Sequence, residues 1–160
     1  MARTALAREK AMPPGKYVYE YPRPAVAVDV VIVTRDARPR VLLIRRKHEP
    51  FKGCWAIPGG FVDMDEPLDA AARRELFEET SVRTKDLVQL HTFGDPQRDP
   101  RGRIISVTYV ALLNADRLQP RARDDAAEVG WFSLRHPPKL AFDHKDILAV
   151  ARKYLKERHA

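Results

Sequence analysis

A single cysteine, Cys54, stands in 160 residues, so no disulfide can form within the chain. A lone thiol suits a reducing compartment, and Cys54 reads as a small core residue rather than a nucleophile. No apolar run approaches the ~20 residues that cross a bilayer, so no membrane partner is expected. The N-terminal MARTALAREKAM is basic and Ala-rich but lacks the apolar stretch of a secretory signal, and Glu9 interrupts an organelle-transit pattern. The chain therefore reads as cytoplasmic. Acidic residues are outnumbered, 22 against 29 lysines and arginines, which leaves a net charge of +7. That balance favours anionic partners, from phosphorylated metabolites to nucleic acid, without choosing among them. Aromatic residues make up only 8%, and they do not interleave with basic ones beyond one tyrosine stripe, so no nucleic-acid partner is expected.

The length accommodates one domain with a real core. Residues 1–15 end in Pro13-Pro14-Gly15 and read as a flexible N-terminal arm, leaving residues 16–160 as the domain. Tyr17, Tyr19 and Tyr21 alternate as in a strand, either packing or stacking on a base or a partner subunit. Ala25–Thr34 is a long apolar strand interrupted by Asp29, a carboxylate either satisfied within the fold or lining a pocket. A second strand runs from Val41 to Arg45, with Arg45, Arg46 and Lys47 at its end. Arg45 and its two neighbours are candidates to face an anionic substrate, with solvated strand-end charge as the alternative. Trp55 to Gly60 is a short strand breaking into a glycine turn, and Leu87–Phe93 and Ile104–Leu113 are further strands. Between the last two, two prolines and two glycines dictate a loop that carries Arg98, Arg101 and Arg103. Asn114–Ala127 is polar, Val129–Phe132 is a last short strand, and Ile147, Leu148, Ala151 and Leu155 mark the stripe of a closing helix. Asp143 is placed to cap that helix, Phe142 to staple onto Ile147, and His144 to open it with an exposed ring as a pocket candidate.

The stretch that carries chemistry is GFVDMDEPLDAAARRELFEETSV, from Gly60 to Val82. Pro67 suits a helix start, and the helix spans roughly Pro67–Thr80. At about 100° per residue, Glu75, Glu78 and Glu79 share one side of it with Leu68, Ala71 and Ala72, where burial is expected. Carboxylates aimed at a partly enclosed spot call for a cation, and an oxygen-only set suits a hard one such as Mg²⁺.

The stretch resembles the signature of the Nudix hydrolase family, Gly-x5-Glu-x7-Arg-Glu-apolar-x-Glu-Glu-x-Gly-apolar. Gly60, Glu66, Arg74, Glu75, Leu76, Glu78, Glu79 and Val82 match, and Ser81 departs where the pattern has glycine. A left-handed residue is wanted there, so serine should cost about 1 kcal/mol. The resemblance implies an α/β fold, an α/β/α sandwich around a mixed sheet. It implies hydrolysis of a diphosphate linkage with Mg²⁺, Mn²⁺ being a substitute, and a homodimer. Glu75, Glu78 and Glu79 are the implied metal ligands, with a carbonyl from the Gly59-Gly60 turn, and Arg74 the ion pair that holds them. The base is one of these glutamates or an acid outside, for which Glu128 is the candidate, with an ordinary surface acid as the alternative. Pro96, following the signature, resembles the ADP-ribose pyrophosphatase branch, where Arg98, Arg101 and Arg103 would meet a terminal ribose phosphate. The expected reaction is ADP-ribose to AMP and ribose 5-phosphate. The alternatives are dinucleoside polyphosphates, NADH or damaged nucleoside triphosphates as substrate, or an ADP-ribose-binding regulator without catalysis. Such regulators lose glutamates of the signature and add a winged-helix domain, whereas all three helix glutamates are present here and the chain ends at Ala160.

Overall fold

The computed structural model describes residues 19–123 and 125–158; the arm expected over residues 1–15, like Tyr17, lies outside them. The elements are β1 (Ala25–Thr34), β2 (Arg40–Arg46), β3 (Trp55–Ala56), β4 (Gly59–Phe61), α1 (Leu68–Thr80), β5 (Val88–Phe93), β6 (Ile104–Leu113), β7 (Ala126–Ser133) and α2 (His144–Arg158). One 3₁₀ turn, Ala115–Arg117, interrupts the loop before β7.

The strands form a mixed sheet in the order β3-β2-β1-β6-β5, with β4 paired to β1 and β7 to β2. β1 and β6 run parallel in register from Ala25↔Ile104 to Thr34↔Leu113. On its other side β1 changes partner. It meets β2 at Val33↔Val41 and takes β4 at Ala27↔Phe61, Val28↔Gly60 and Asp29↔Gly59. That change of partner brings the glycine turn against Asp29.

Alternation along β1 divides the core in two. Val28, Val30 and Ile32 pack with Ala71, Ala72 and Leu76 of α1. Val31 and Val33 pack with Ile147, Leu148, Ala151 and Leu155 of α2. The result is an α/β/α sandwich.

Three local expectations need correction. Tyr19, Glu20 and Tyr21 form no strand, because Pro22 and Pro24 follow and deny the backbone a regular ladder. Tyr19 is covered by the Arg23 guanidinium at 3.8 Å instead. β7 begins at Ala126, so Glu128 lies inside a strand paired along β2. At the start of α2, the Asp143 carboxylate does not cap the helix; it takes the Arg98 guanidinium at 2.7 and 2.8 Å.

Candidate active site

The glycine turn, α1, the β5–β6 loop and the start of α2 enclose a cavity of about 380 Å³. Its acidic wall comes from α1. Glu79 is 7% exposed, and its Oε2 accepts a hydrogen bond from the Gly59 N–H at 2.9 Å. Burial pushes its carboxyl up to about 8, the Gly59 N–H pulls the other way, and the fields of Glu75, Asp125 and Asp29 add to the rise. Burial likewise raises Glu75 against the pull of Arg74.

Both glycines of the turn are required by close approach. A Cβ on Gly59 would sit 2.1 Å from the Val28 carbonyl oxygen, and one on Gly60 would sit 2.5 Å from the Glu75 carboxyl. Arg74 organises the acids. It donates to Glu75 at 2.7 Å, to Glu78 at 3.1 Å, to the Phe61 carbonyl at 3.0 Å and to both oxygens of Glu66. Glu66 and the other carboxylates hold the guanidinium pKa above its usual value.

Opposite lies a buried polar cluster. Asp29 accepts a hydrogen bond from Ser106 and lies 3.7 Å from Arg98 and 3.5 Å from His144 Nε2. His144 is 5% exposed rather than open to solvent, because its Nδ1 accepts the Ile57 N–H at 2.9 Å. That bond leaves the ring proton on Nε2, toward Asp29, and burial holds the ring pKa below its usual value. Arg101 is fixed by Asp99 at 2.7 and 3.0 Å and reaches across the rings of Phe61 and Phe142.

The family model described as the NUDIX domain matches residues 23–151. The chain belongs to the Nudix family. An ADP-ribose pyrophosphatase of Methanocaldococcus jannaschii is 44% identical over 128 residues, 80% of this chain and 73% of that protein. The ADPR responsive transcriptional repressor NtrR of Acinetobacter baylyi is 40% identical over 82% of this chain, which spans 54% of the repressor. Among solved structures, the Nudix domain of Shewanella oneidensis NrtR complexed with ADP ribose superposes with a TM-score of 0.76 at 35% identity, covering 84% of this chain and 90% of that one.

Against this frame of Nudix residues, the structure sorts the sequence candidates. It gathers Asp29, Gly60, Arg74, Glu75, Glu79, Arg98, Arg101 and His144 around the cavity. It leaves out Glu78, which is half-exposed on Arg74, and among the described residues no three acidic, histidine or cysteine side chains form a ready ligand set. Arg45 and Glu128 are also left out. They face each other across β2 and β7 and pair at 2.9 Å away from the cavity wall. Arg103 turns away as well, to the Gly94 carbonyl, and closes its own loop.

Sequence reasoning missed Asp99, Asp125 and Phe142, all on the cavity wall. Of the three strand-end cations it offered to a substrate, Arg46 and Lys47 line the cavity and Arg45 does not. The signal that separates Arg46 from Arg45 was available. Alternation along β2 puts Arg46 on the same side as Ile44, which also lines the cavity, and sends Arg45 to the other. Asp125 comes in through backbone geometry that no pattern announced. The Arg121 and Arg123 N–H groups bond the Thr80 and Glu79 carbonyls at the end of α1, and Asp125 follows directly.

The residues present suit a hard cation. Glu75 and Glu79 are carboxylates that burial has left short of solvation, beside a backbone open to close approach at Gly60.

Proposed function

We propose that this Nudix protein hydrolyses the diphosphate of ADP-ribose to AMP and ribose 5-phosphate in a Mg²⁺-dependent reaction, with Mn²⁺ able to substitute. One observation carries the reading: undersolvated glutamates and several guanidiniums line one cavity of the size that takes a nucleotide. The similarity to an ADP-ribose pyrophosphatase supports the substrate.

Glu75 and Glu79 would hold the metal, with Glu78 joining once its ion pair to Arg74 gives way. When bound, the cation neutralises diphosphate oxygens and acidifies a water. The chain's own side chains do the rest. Arg74 fixes Glu75 through one Nη1–H bond while its fork is anchored on Glu66, so the Glu75 carboxylate loses little freedom on binding. The Gly59 N–H fixes Glu79 in the same way. Asp125, on the wall beside Glu79, replaces Glu128 as the outside acid placed to accept the water's proton. The water oxygen joins one phosphorus, the bridging P–O bond breaks, and the bridging oxygen leaves on the other phosphate. A homodimer, on the resemblance alone, and a cytoplasmic location, on the lone Cys54, complete the proposal.

A second reading has a specific observation behind it, since the Acinetobacter baylyi repressor and the ADP-ribose-bound Nudix domain of Shewanella oneidensis NrtR are among the relatives. There the cavity would bind ADP-ribose without cleaving it. Comparing kcat/KM for ADP-ribose, NADH, a dinucleoside polyphosphate and an oxidised nucleoside triphosphate with Mg²⁺ separates the readings. ADP-ribose should lead by at least about tenfold, a margin of ~1.4 kcal/mol in transition-state binding. Another leading substrate overturns the substrate assignment, and tight ADP-ribose binding without turnover establishes the regulator.

A further inference from the structure

The guanidiniums around the cavity differ in whether their charge is met. Arg74 is surrounded by Glu66, Glu75 and Glu78. Arg98 lies between Asp143 and Asp29, and Arg101 is doubly bonded to Asp99. Arg46 is different. It donates only to main-chain carbonyls, Nε to Pro50 at 2.8 Å and Nη2 to His48 at 3.4 Å. Among the described residues no carboxylate lies within ion-pair distance of it, and its Nη1 donates no hydrogen bond. Burial lowers its pKa and the charge of Arg101 adds to the fall, with smaller opposing pulls from Glu79, Asp99 and Asp125. A part-buried cation pressed by a like charge is costly unless an anion completes the site.

The backbone around Arg46 is unusual in a way that bears on the same point. Phe142 has φ 50° and Phe51 has φ 63°, both in the left-handed region that bulky residues avoid at a cost of about 1–2 kcal/mol. The two come from separate segments, yet their rings meet edge-on with centroids 4.7 Å apart. The Arg46 guanidinium lies 4.9 Å from the Phe142 ring centre, and that of Arg101 lies 5.4 Å from the same centre. The carbonyls that hold Arg46 belong to His48 and Pro50, in the segment that presents Phe51. Two strained aromatic residues thus converge on one cation that has no carboxylate within ion-pair distance among the described residues.

We propose that Arg46 is a substrate-positioning residue that holds a phosphoryl group of the diphosphate, and that the left-handed Phe51–Phe142 pair exists to present its guanidinium. This rests on the diphosphate reading above and names the side chain that meets the anion. Phe142 is the plate that keeps Arg46 and Arg101 on the cavity wall against their mutual repulsion. A planar, always-charged group fits bidentate phosphate oxygens, whereas a lysine would offer only a point charge.

Calorimetric titration with inorganic pyrophosphate in EDTA tests this without the metal or turnover. Arg46→Gln should weaken binding by about tenfold or more, the value of a charge-assisted hydrogen bond, and Arg46→Lys should fall between. Phe142→Leu should weaken binding with Arg46 intact, while Arg45→Gln, on the other side of β2, should bind as the wild type does. Wild-type affinity in Arg46→Gln overturns the proposal, and so does an equal loss in Arg45→Gln, which would reduce the effect to net charge. If Arg46→Gln does not fold, Arg46→Lys decides, with unchanged affinity counting against the fork. Failure of the wild type to bind pyrophosphate overturns the positioning role even where ADP-ribose is hydrolysed. Binding lost in Arg46→Gln, in a protein that cleaves no nucleoside diphosphate, removes the proposed reaction and leaves the anion site standing.

Discussion

Burial lifts the Glu79 carboxyl from its usual 4.5 to about 8, and this sets how the protein should respond to pH. In the unfolded chain the group loses its proton first, so the folded state binds more protons in between. Its stabilising contribution is full below the unfolded value and is lost as pH rises through about 8. Metal-free wild type should therefore lose melting temperature over that window more than Glu79→Gln does. A cation on this carboxylate must displace the proton, so metal affinity should climb about tenfold per pH unit below the folded value and level off above it. Calorimetric Mn²⁺ titrations from pH 6 to 9 check this, and a flat affinity would contradict it. At this scale the sequence was readable where chemistry repeats a spacing. The glutamates could be named because a helix turns a spacing into a shared side, and Arg74 because of the resemblance. Asp125 could not, since main-chain bonds from a polar loop to the end of α1 place it. His144 was found but misjudged. Its burial depends on the Ile57 N–H, 87 positions away in the chain.

At the scale of the element, α1 ends on Ser81, with φ 62° and ψ 7° and its N–H on the Phe77 carbonyl. The left-handed cap expected from the departure at this position is present, with a side chain where glycine would be free of strain. Ser81→Gly should stabilise the protein by about 1 kcal/mol, or ~2–4 °C in melting temperature. The mutation removes only a 3.4 Å contact from Oγ to the Arg121 carbonyl, too long to offset the relief. Thermal melts of the two proteins decide, and an unchanged or lower midpoint would show that the serine is held without strain. The long elements were legible because burial imposes their period. The alternating tyrosines misled, since Pro22 and Pro24 leave no ladder for them.

The whole molecule brings two ends of the chain to one cavity. Asp29 on the first strand, the acids of α1 and the start of the last helix meet because β1 exchanges β2 for β4 along one edge. The mixed sheet and its two helices followed from order and periodicity together with the resemblance. That exchange of partners did not, because apolar strands carry no mark of which neighbour each residue will take. The Arg98–Asp143 pair is 4% and 16% exposed and ties the β5–β6 loop to α2 across this cavity. On the proposal above, the substrate-facing role passes from Arg98 to Arg46, which donates only to main-chain carbonyls. In the proposed reaction the undersolvated glutamates serve metal-dependent cleavage of a diphosphate. Product analysis by mass spectrometry decides this, with ADP-ribose incubated in Mg²⁺ or in EDTA. Wild type with Mg²⁺ should yield AMP and ribose 5-phosphate in equal amounts, with none in EDTA, and Glu79→Gln should lose at least about 10² in kcat while still folded. Cleavage that persists in EDTA, or a Glu79→Gln variant with near-normal kcat, would contradict it.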